Sequence, residues 1–416
     1  PSPIRVRPYH LIRQLARSHE VVVLTLWQHE REQEDLNALG SLCSVVGVRL
    51  SRARAVANCL RALPSRMPLQ GAYCQSKELV RLVRGALGEP RVAGNIAGQP
   101  LPAALRGPFD VVHVEHLRAG YVASEIPRHV PTVFDSVDSI SLLFERTSRL
   151  SHSRRQRFLA RFELPRTRAY EAELVQRFDR IAVTSPEDAD ALRALSGTDR
   201  IAVVPNGVDL AYFQPRRDSA EPATLVLSGK MSYHANVTAA LHFQARIFPL
   251  IKQQCPDVRF QIVGSDPPSA VQALTGDPAI SVTGYVPDMR DYLGRATVVI
   301  CPVTVKVGIQ NKVLEAMAMG VPVVCTREGF AGLQAQPGQD LLVADTPSEF
   351  AAHVCRLLGD ADLRSQLGQA GRRYVENYHQ WNLAARRIAD LYQDAIEQHK
   401  RRSATDSVTT ADENGK

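Results

Sequence analysis

Residues 308–326, GIQNKVLEAMAMGVPVVCT, decide the reading of this chain. A glycine opens the stretch, a helical run through Met319 follows, and Gly-Val-Pro turns the chain into a short β-branched run. At 100° per residue Asn311, Lys312 and Glu315 share one side of the helix, which leaves Val313, Leu314 and Met317 for an interior. Just upstream, TVVICP (297–302) has the Val/Ile density of a strand buried on both faces. Strand, loop, helix and strand in that order make a unit of parallel sheet.

The first amides of a helix have no internal partner and carry the positive end of its dipole, so an anion is stabilised there. Gly308 would let a phosphate approach the main chain closely. Lys312 can pair with phosphate oxygens, and Glu315 can accept hydrogen bonds from a sugar diol, at about 1.5–3 kcal/mol for each charge-assisted bond. The alternative is a surface ion pair at i,i+3, worth only about 0.2–0.5 kcal/mol. Periodicity alone leaves both open.

The same grammar extends in both directions. Before the connection PNGVDLAYFQPRRDSAEPA (205–223) lie EVVVLTLW (20–27), SVVGVRL (44–50), DVVHVE (110–115), PTVFD (131–135), RIAVTS (180–185) and RIAVVP (200–205). After it come TLVLSG (224–229), VRFQIVG (258–264), ISVTG (280–284), TVVICP and VPVVCT (321–326). With 416 residues, these two runs predict an α/β protein of two doubly wound Rossmann-like domains facing a cleft, with ligands at the carboxyl ends of the strands. The expected divisions are 1–212, 213–378, a terminal helix over 379–398 that packs back near the hinge, and a disordered tail over 399–416. Because the sequence enters a helix at once, a further strand ahead of Pro1 is expected.

Bulk composition is that of a globular protein, with 44% hydrophobic and 22% charged residues, which argues against a disordered or fibrous chain. The net charge of +7 suits phosphate-bearing ligands. Between Arg146 and Arg168 eight arginines alternate with Leu150, Phe158, Leu159, Phe162 and Leu164, a pattern that suits peripheral membrane contact, an anionic acceptor or a solvated helix face. Seven scattered cysteines without a CxxC predict reduced thiols and a cytoplasmic protein, peripheral at most to a membrane. No apolar run reaches the roughly 18 residues of a membrane span. The absence of G-x-G-x-x-G after any strand disfavours a dehydrogenase, and no nucleic-acid-binding module is present, so nucleic acid is not an expected partner.

NKVLEAMAMGVPVVCT, VVPNGVDLAYFQP, FQIVGSDP, VTGYVPDMRDYLGRATVVICP and YHQWNLAARRIADLY together resemble the GT-B retaining glycosyltransferases of family 4, over residues 5–398. FDSVDSISLLFER (134–146) and GKMSYHANVTAAL (229–241) resemble a bacterial subgroup of sugar transferases linked to exopolysaccharide and exosortase systems. The resemblance implies a first domain that binds a saccharide or lipid-linked acceptor and a second that binds a nucleotide sugar. It implies transfer with retention in cell-surface polysaccharide synthesis; with positive groups placed to stabilise the leaving diphosphate, neither cofactor nor metal is expected. A sugar-nucleotide epimerase of the same fold and a degenerate, non-catalytic binder of nucleotide sugars are the competing readings.

Carried over residue by residue, Glu315 matches the second glutamate of the family's E-x7-E motif, which holds the donor ribose. The first falls at Val307, a departure that leaves the sugar unassigned. Lys312, Gly308, Ile309, Gln310 and Asn311 are the expected surroundings of the diphosphate and sugar, with Gly229 and Lys230 as a second phosphate contact. His116, Asp135 and Lys312 are the expected catalytic groups, with Asp138 beside them. The D-x-D triplets Asp188–Asp190 and Asp360–Asp362 lie in helical, charge-mixed settings and predict no metal site.

Overall fold

The computed structural model describes residues 6–88, 102–150, 153–216, 221–304 and 308–413. The chain separates into two units, which it crosses at Val204/Pro205 and again at Leu383/Ala384. Residues 205–383 form the C unit; the N unit is completed by the chain from Ala384 onward.

In the C unit the expected strands appear as β7 (Thr224–Ser228), β8 (Arg259–Val263), β9 (Ile280–Val282), β10 (Val298–Cys301) and β11 (Val323–Thr326), joined by β12 (Leu342–Ala344). All pair in parallel, in the order β12-β11-β10-β7-β8-β9. Every residue of β7 and β10 is buried, as continuous Val/Ile runs require when helices cover both faces. The strand order reverses between β7 and β10, so the loops after these two strands flank the switch point, where open α/β sheets bind ligands.

The N unit holds its strands in two sheets. β1 (Val22–Trp27) pairs with β2 (Ser44–Arg49), while β3 (Val112–Glu115), β4 (Thr132–Val137), β5 (Arg180–Val183) and β6 (Ile201–Val203) follow in order. All these pairs are parallel as well. The helices needed below are α1 (Val6–Leu15), α2 (Arg52–Ala62), α3 (Ile140–Leu150), α4 (Arg154–Arg177), α5 (His234–His242), α6 (Asn311–Ala318), α7 (Ala361–Tyr378) and α8 (Trp381–Glu413).

Three expectations shift. The division falls at 204/205 instead of 212/213, because the connecting turn bonds into the C unit: Val208 N donates to His379 O at 2.7 Å, and Arg372 Nη1 to Phe213 O at 2.7 Å. The terminal helix continues beyond 398 to Glu413; residues 381–413 contain no glycine or proline to stop it. The helix anticipated from Gly308 begins at Asn311, with Gln310 as its N-cap residue. A strand ahead of Pro1, and Val307 itself, lie outside the described residues.

Candidate functional site

The C-unit site is built on α6. Val313, Leu314, Ala316 and Met317 are buried as the periodicity required, and Lys312 is buried with them, 8% exposed. Among the described residues of the C unit, Lys312 is the one buried Lys, Arg, Asp or Glu. That rules out the surface ion pair: the ammonium donates to Asn236 Oδ1 at 2.5 Å, and no Lys312–Glu315 salt bridge forms among the described residues. Burial pulls the Lys312 pKa down, opposed by Cys301 and Glu315.

Asn236 lies in the first turn of α5 without capping it through its side chain, since Tyr233 is the N-cap residue. Its Nδ2 donates to the Lys230 carbonyl at 2.9 Å, so one amide ties the loop after β7 to the ammonium on α6. Gly229 sits at φ 141°, and a Cβ there would meet Asn236 Nδ2 at 2.7 Å. Gly264, after β8, is held still more tightly: a Cβ would lie 1.8 Å from Gly229 O. The Lys230 side chain is 67% exposed, its Nζ 3.7 Å from Asp266.

Glu315 keeps part of its surface, yet the protein around its carboxyl raises its pKa to about 7, with Lys312 opposing. No described residue hydrogen-bonds that carboxylate. Just ahead of α6, Gly308 adopts φ 50°, followed by Ile309 and Gln310, both buried. The Gln310 side chain does not cap α6, whose opening amides receive no side-chain cap.

Sequence reasoning missed a polar chain that fixes the start of α6. Gln334 N donates to Tyr374 Oη at 2.9 Å, and Tyr374 Oη lies 2.9 Å from His379 Nε2. His379 Nδ1 donates to Asn206 O at 2.7 Å, which makes Nε2 the acceptor of the Tyr374 hydroxyl. Asn206 Nδ2 then reaches Asn311 Oδ1 at 3.2 Å. The PNG turn and the YHQW segment are its only local marks in the sequence; that they meet is decided by Gly207, whose missing Cβ leaves room for the Trp381 backbone.

In the N unit the expected catalytic groups separate. Asp135 is fully buried and committed to Arg7 of α1, 2.8 Å away, and to Val137 N at 3.1 Å. That ion pair gives Asp135 a buried structural setting at the end of β4. Asp138 keeps partial exposure, and burial with Asp188 nearby raises its pKa to about 6, while Thr184 Oγ1 donates to it at 3.1 Å. Neither aspartate caps α3; Glu171 does, accepting from Ile140 N at 2.6 Å. His116, partly exposed after β3, sits at φ 65°, and Val137, the last residue of β4, at φ 67°. Such backbone in non-glycine residues costs about 1–3 kcal/mol each and clusters at functional sites.

The D-x-D aspartates have local work: Asp188 accepts from Ser139 N at 3.0 Å, and Asp360 caps α7 through Leu363 N at 2.8 Å. Among the described residues no helix is long and apolar enough to cross a membrane.

The family described as "Glycosyltransferase Family 4" matches residues 5–212, and "Glycosyl transferases group 1" matches residues 222–360. D-inositol 3-phosphate glycosyltransferase of Acidothermus cellulolyticus is 27% identical over 58% of this chain and 58% of its own length. MMP alpha-(1->4)-mannosyltransferase of Mycolicibacterium hassiacum is 26% identical over 52% and 54%. The chain thus spans a little over half the length of these curated relatives. Among solved structures, Anabaena Alr3699/HepE in complex with UDP and glucose superposes with a TM-score of 0.64 at 14% identity, over 94% of this chain and 96% of that one. The shared architecture is GT-B.

Proposed function

The chain belongs to glycosyltransferase family 4, and from that premise we propose that it moves a sugar from a nucleotide-sugar donor to a saccharide or lipid-linked acceptor, with retention, in cell-surface polysaccharide synthesis. The observation that carries this reading is Glu315, a carboxylate without a hydrogen-bond donor among the described residues, one turn along α6 from a buried, cationic Lys312. A ribose diol supplies two hydroxyl donors to such a carboxylate, and a diphosphate supplies the anion that Lys312 and the opening amides of α6 favour.

In the reaction proposed, the bond between the anomeric carbon and the diphosphate oxygen breaks, and the electron pair leaves with the phosphate. Lys312, the α6 amides and Lys230 stabilise that charge as fixed positive groups. The acceptor hydroxyl attacks the anomeric carbon from the same face and its proton passes to the departing phosphate oxygen. His116 and Asp138 of the N unit are the groups proposed to orient the acceptor. No metal is assigned a part in this scheme.

Thermal-shift titration with UDP-, GDP-, ADP- and dTDP-sugars tests the donor site, beginning with UDP-glucose because the Anabaena structure holds UDP and glucose. A donor at 100 times its Kd should add about 2.7 kcal/mol of stability. Lys312→Met and Glu315→Ala should each weaken donor affinity and slow transfer at least about tenfold, the loss of one charge-assisted bond, so that the same donor concentration adds only about 1.4 kcal/mol. Folded variants that bind and transfer like the parent would overturn the assignment. A changed sugar after incubation with donor alone would favour the epimerase, and binding without transfer to any acceptor the degenerate binder.

A further inference from the structure

Half of the large hydrophobic side chains left exposed among the described residues lie on, or just past the end of, two helices of the N unit, α2 and α4. Val56, Leu60 and Leu63 recur at i, i+4 and i+7 along α2 and just past its end, 43–63% exposed. Phe158 and Leu159, at 73% and 48%, lie in the second turn of α4. The two helices are tied together nearby, as Arg166 of α4 donates to the carbonyls of Ala62 and Leu63, and Glu163 accepts from Leu69 N at 2.8 Å. An apolar stripe this exposed is unfavourable in water and marks an interaction surface.

The charge around it is of one sign. No Asp or Glu occurs from Leu36 to Lys77, or from Arg146 to Phe162. Arg54, Arg61 and Arg66 flank the α2 stripe, and Arg154, Arg155, Arg157 and Arg161 flank the phenylalanine on α4. None of the seven has a side-chain hydrogen bond or ion pair among the described residues. Elsewhere in the same basic segment the arginines are used: Arg146 pairs with Glu187, and Arg149 and Arg168 both meet Glu145.

We propose that this face docks on an anionic lipid surface, with Phe158, Leu159 and the α2 stripe entering the boundary between headgroups and acyl chains while the unpaired arginines meet lipid phosphates. Arginine stems cover apolar surface while their heads stay with the phosphates. A protein partner would have to be strongly acidic to fit, and nucleic acid would leave the aliphatic stripe uncovered. The proposal is independent of the donor chemistry on the C unit.

Co-sedimentation of the full chain with vesicles is the test. Vesicles of phosphatidylcholine with phosphatidylglycerol should capture the protein, those of phosphatidylcholine alone should not, and added salt should weaken the capture. Arg154→Ala with Arg155→Ala should reduce binding about 25-fold, at about fivefold per arginine, and Phe158→Ser about tenfold. All three positions are solvent-exposed, so the thermal midpoint should not move. Phe158→Trp should report insertion directly, through a blue shift on anionic vesicles only. Equal binding to both vesicle types, no binding, or Phe158→Ser binding like the parent would overturn the proposal. So would tighter binding to single-stranded RNA than to anionic vesicles.

Discussion

The two units bury charge in opposite ways. Inside the N unit lie Arg7, Asp135, Glu163, Glu171, Asp179 and Asp188; in the C unit, of Lys, Arg, Asp and Glu, only Lys312 is buried among the described residues. Each of these N-unit carboxylates accepts from a main-chain or side-chain donor: Glu163 from Leu69 N through one oxygen, its other oxygen having no partner among the described residues, Glu171 from Ile140 N, Asp179 from Thr132 N, Asp188 from Ser139 N and Asp135 from Arg7. Those groups splice loops and helix ends together. Lys312 bonds only an amide oxygen and no carboxylate, so its charge is left for something else. The sheets differ in the same sense. The C unit's six strands form one sheet with buried central strands, whereas β1 and β2 form a separate pair in which all of β1 is only half-buried. Where strands bury less apolar surface, polar bonds carry more of the tertiary specification.

The strongest way to break this comparison is through glycine. Gly264→Ala forces a Cβ to within 1.8 Å of Gly229 O at φ 153°, and should cost about 3–5 kcal/mol in urea denaturation or prevent folding. Gly197→Ala, at the end of an N-unit helix, meets nothing within 4 Å and should cost only the left-handed strain, about 1 kcal/mol. Equal losses at the two positions would contradict the tight closure of the C-unit loops.

Removing one buried charge from each unit sharpens the contrast. Asp135→Ala strands Arg7 and should destabilise the chain by about 3–5 kcal/mol, whereas Lys312→Met removes a charge with no ionic partner and should change stability by less than about 1 kcal/mol. Thermal and urea unfolding of both variants checks this. A large loss for Lys312→Met would make the lysine structural.

The smallest effect is a pH dependence at Glu315. Its folded pKa of about 7 lies above the ordinary 4.5, so the native state holds a proton that the unfolded chain releases between these values. The group's contribution is therefore least unfavourable at low pH and becomes more unfavourable as pH rises through that window. Glu315→Gln, a permanent stand-in for the protonated acid, should be more stable than the parent by on the order of 1 kcal/mol above pH 7, and equal to it below pH 4.5. Glu171, raised to about 7, and Asp138, raised to about 6, act with the same sign in the N unit. A stability difference independent of pH would show that the Glu315 carboxyl titrates normally.

Eleven strands were legible because a parallel strand covered on both faces leaves a run of Val and Ile that no amphipathic helix imitates. β12, three residues of Leu-Val-Ala, is too short to leave that mark. Of the candidate site, Lys312 and Glu315 could be read because residues three apart on a helix share a side. The Asp135 ion pair was not legible because its partner, Arg7, lies 128 residues away.

By itself the sequence determined the α/β class, the two runs of parallel strands, the apolar side of α6 and the polar residues beside it, since all of these rest on periodicity along a few consecutive residues. Tertiary structure alone decided that Asn236 holds Lys312, that the PNG and YHQW segments meet through His379, and that Asp135 is spent on an ion pair. It also decided which arginines stay unpaired beside an exposed apolar stripe. Contacts between residues far apart in the chain are fixed by close packing and by the satisfaction of buried polar groups, and neither leaves a local pattern to read.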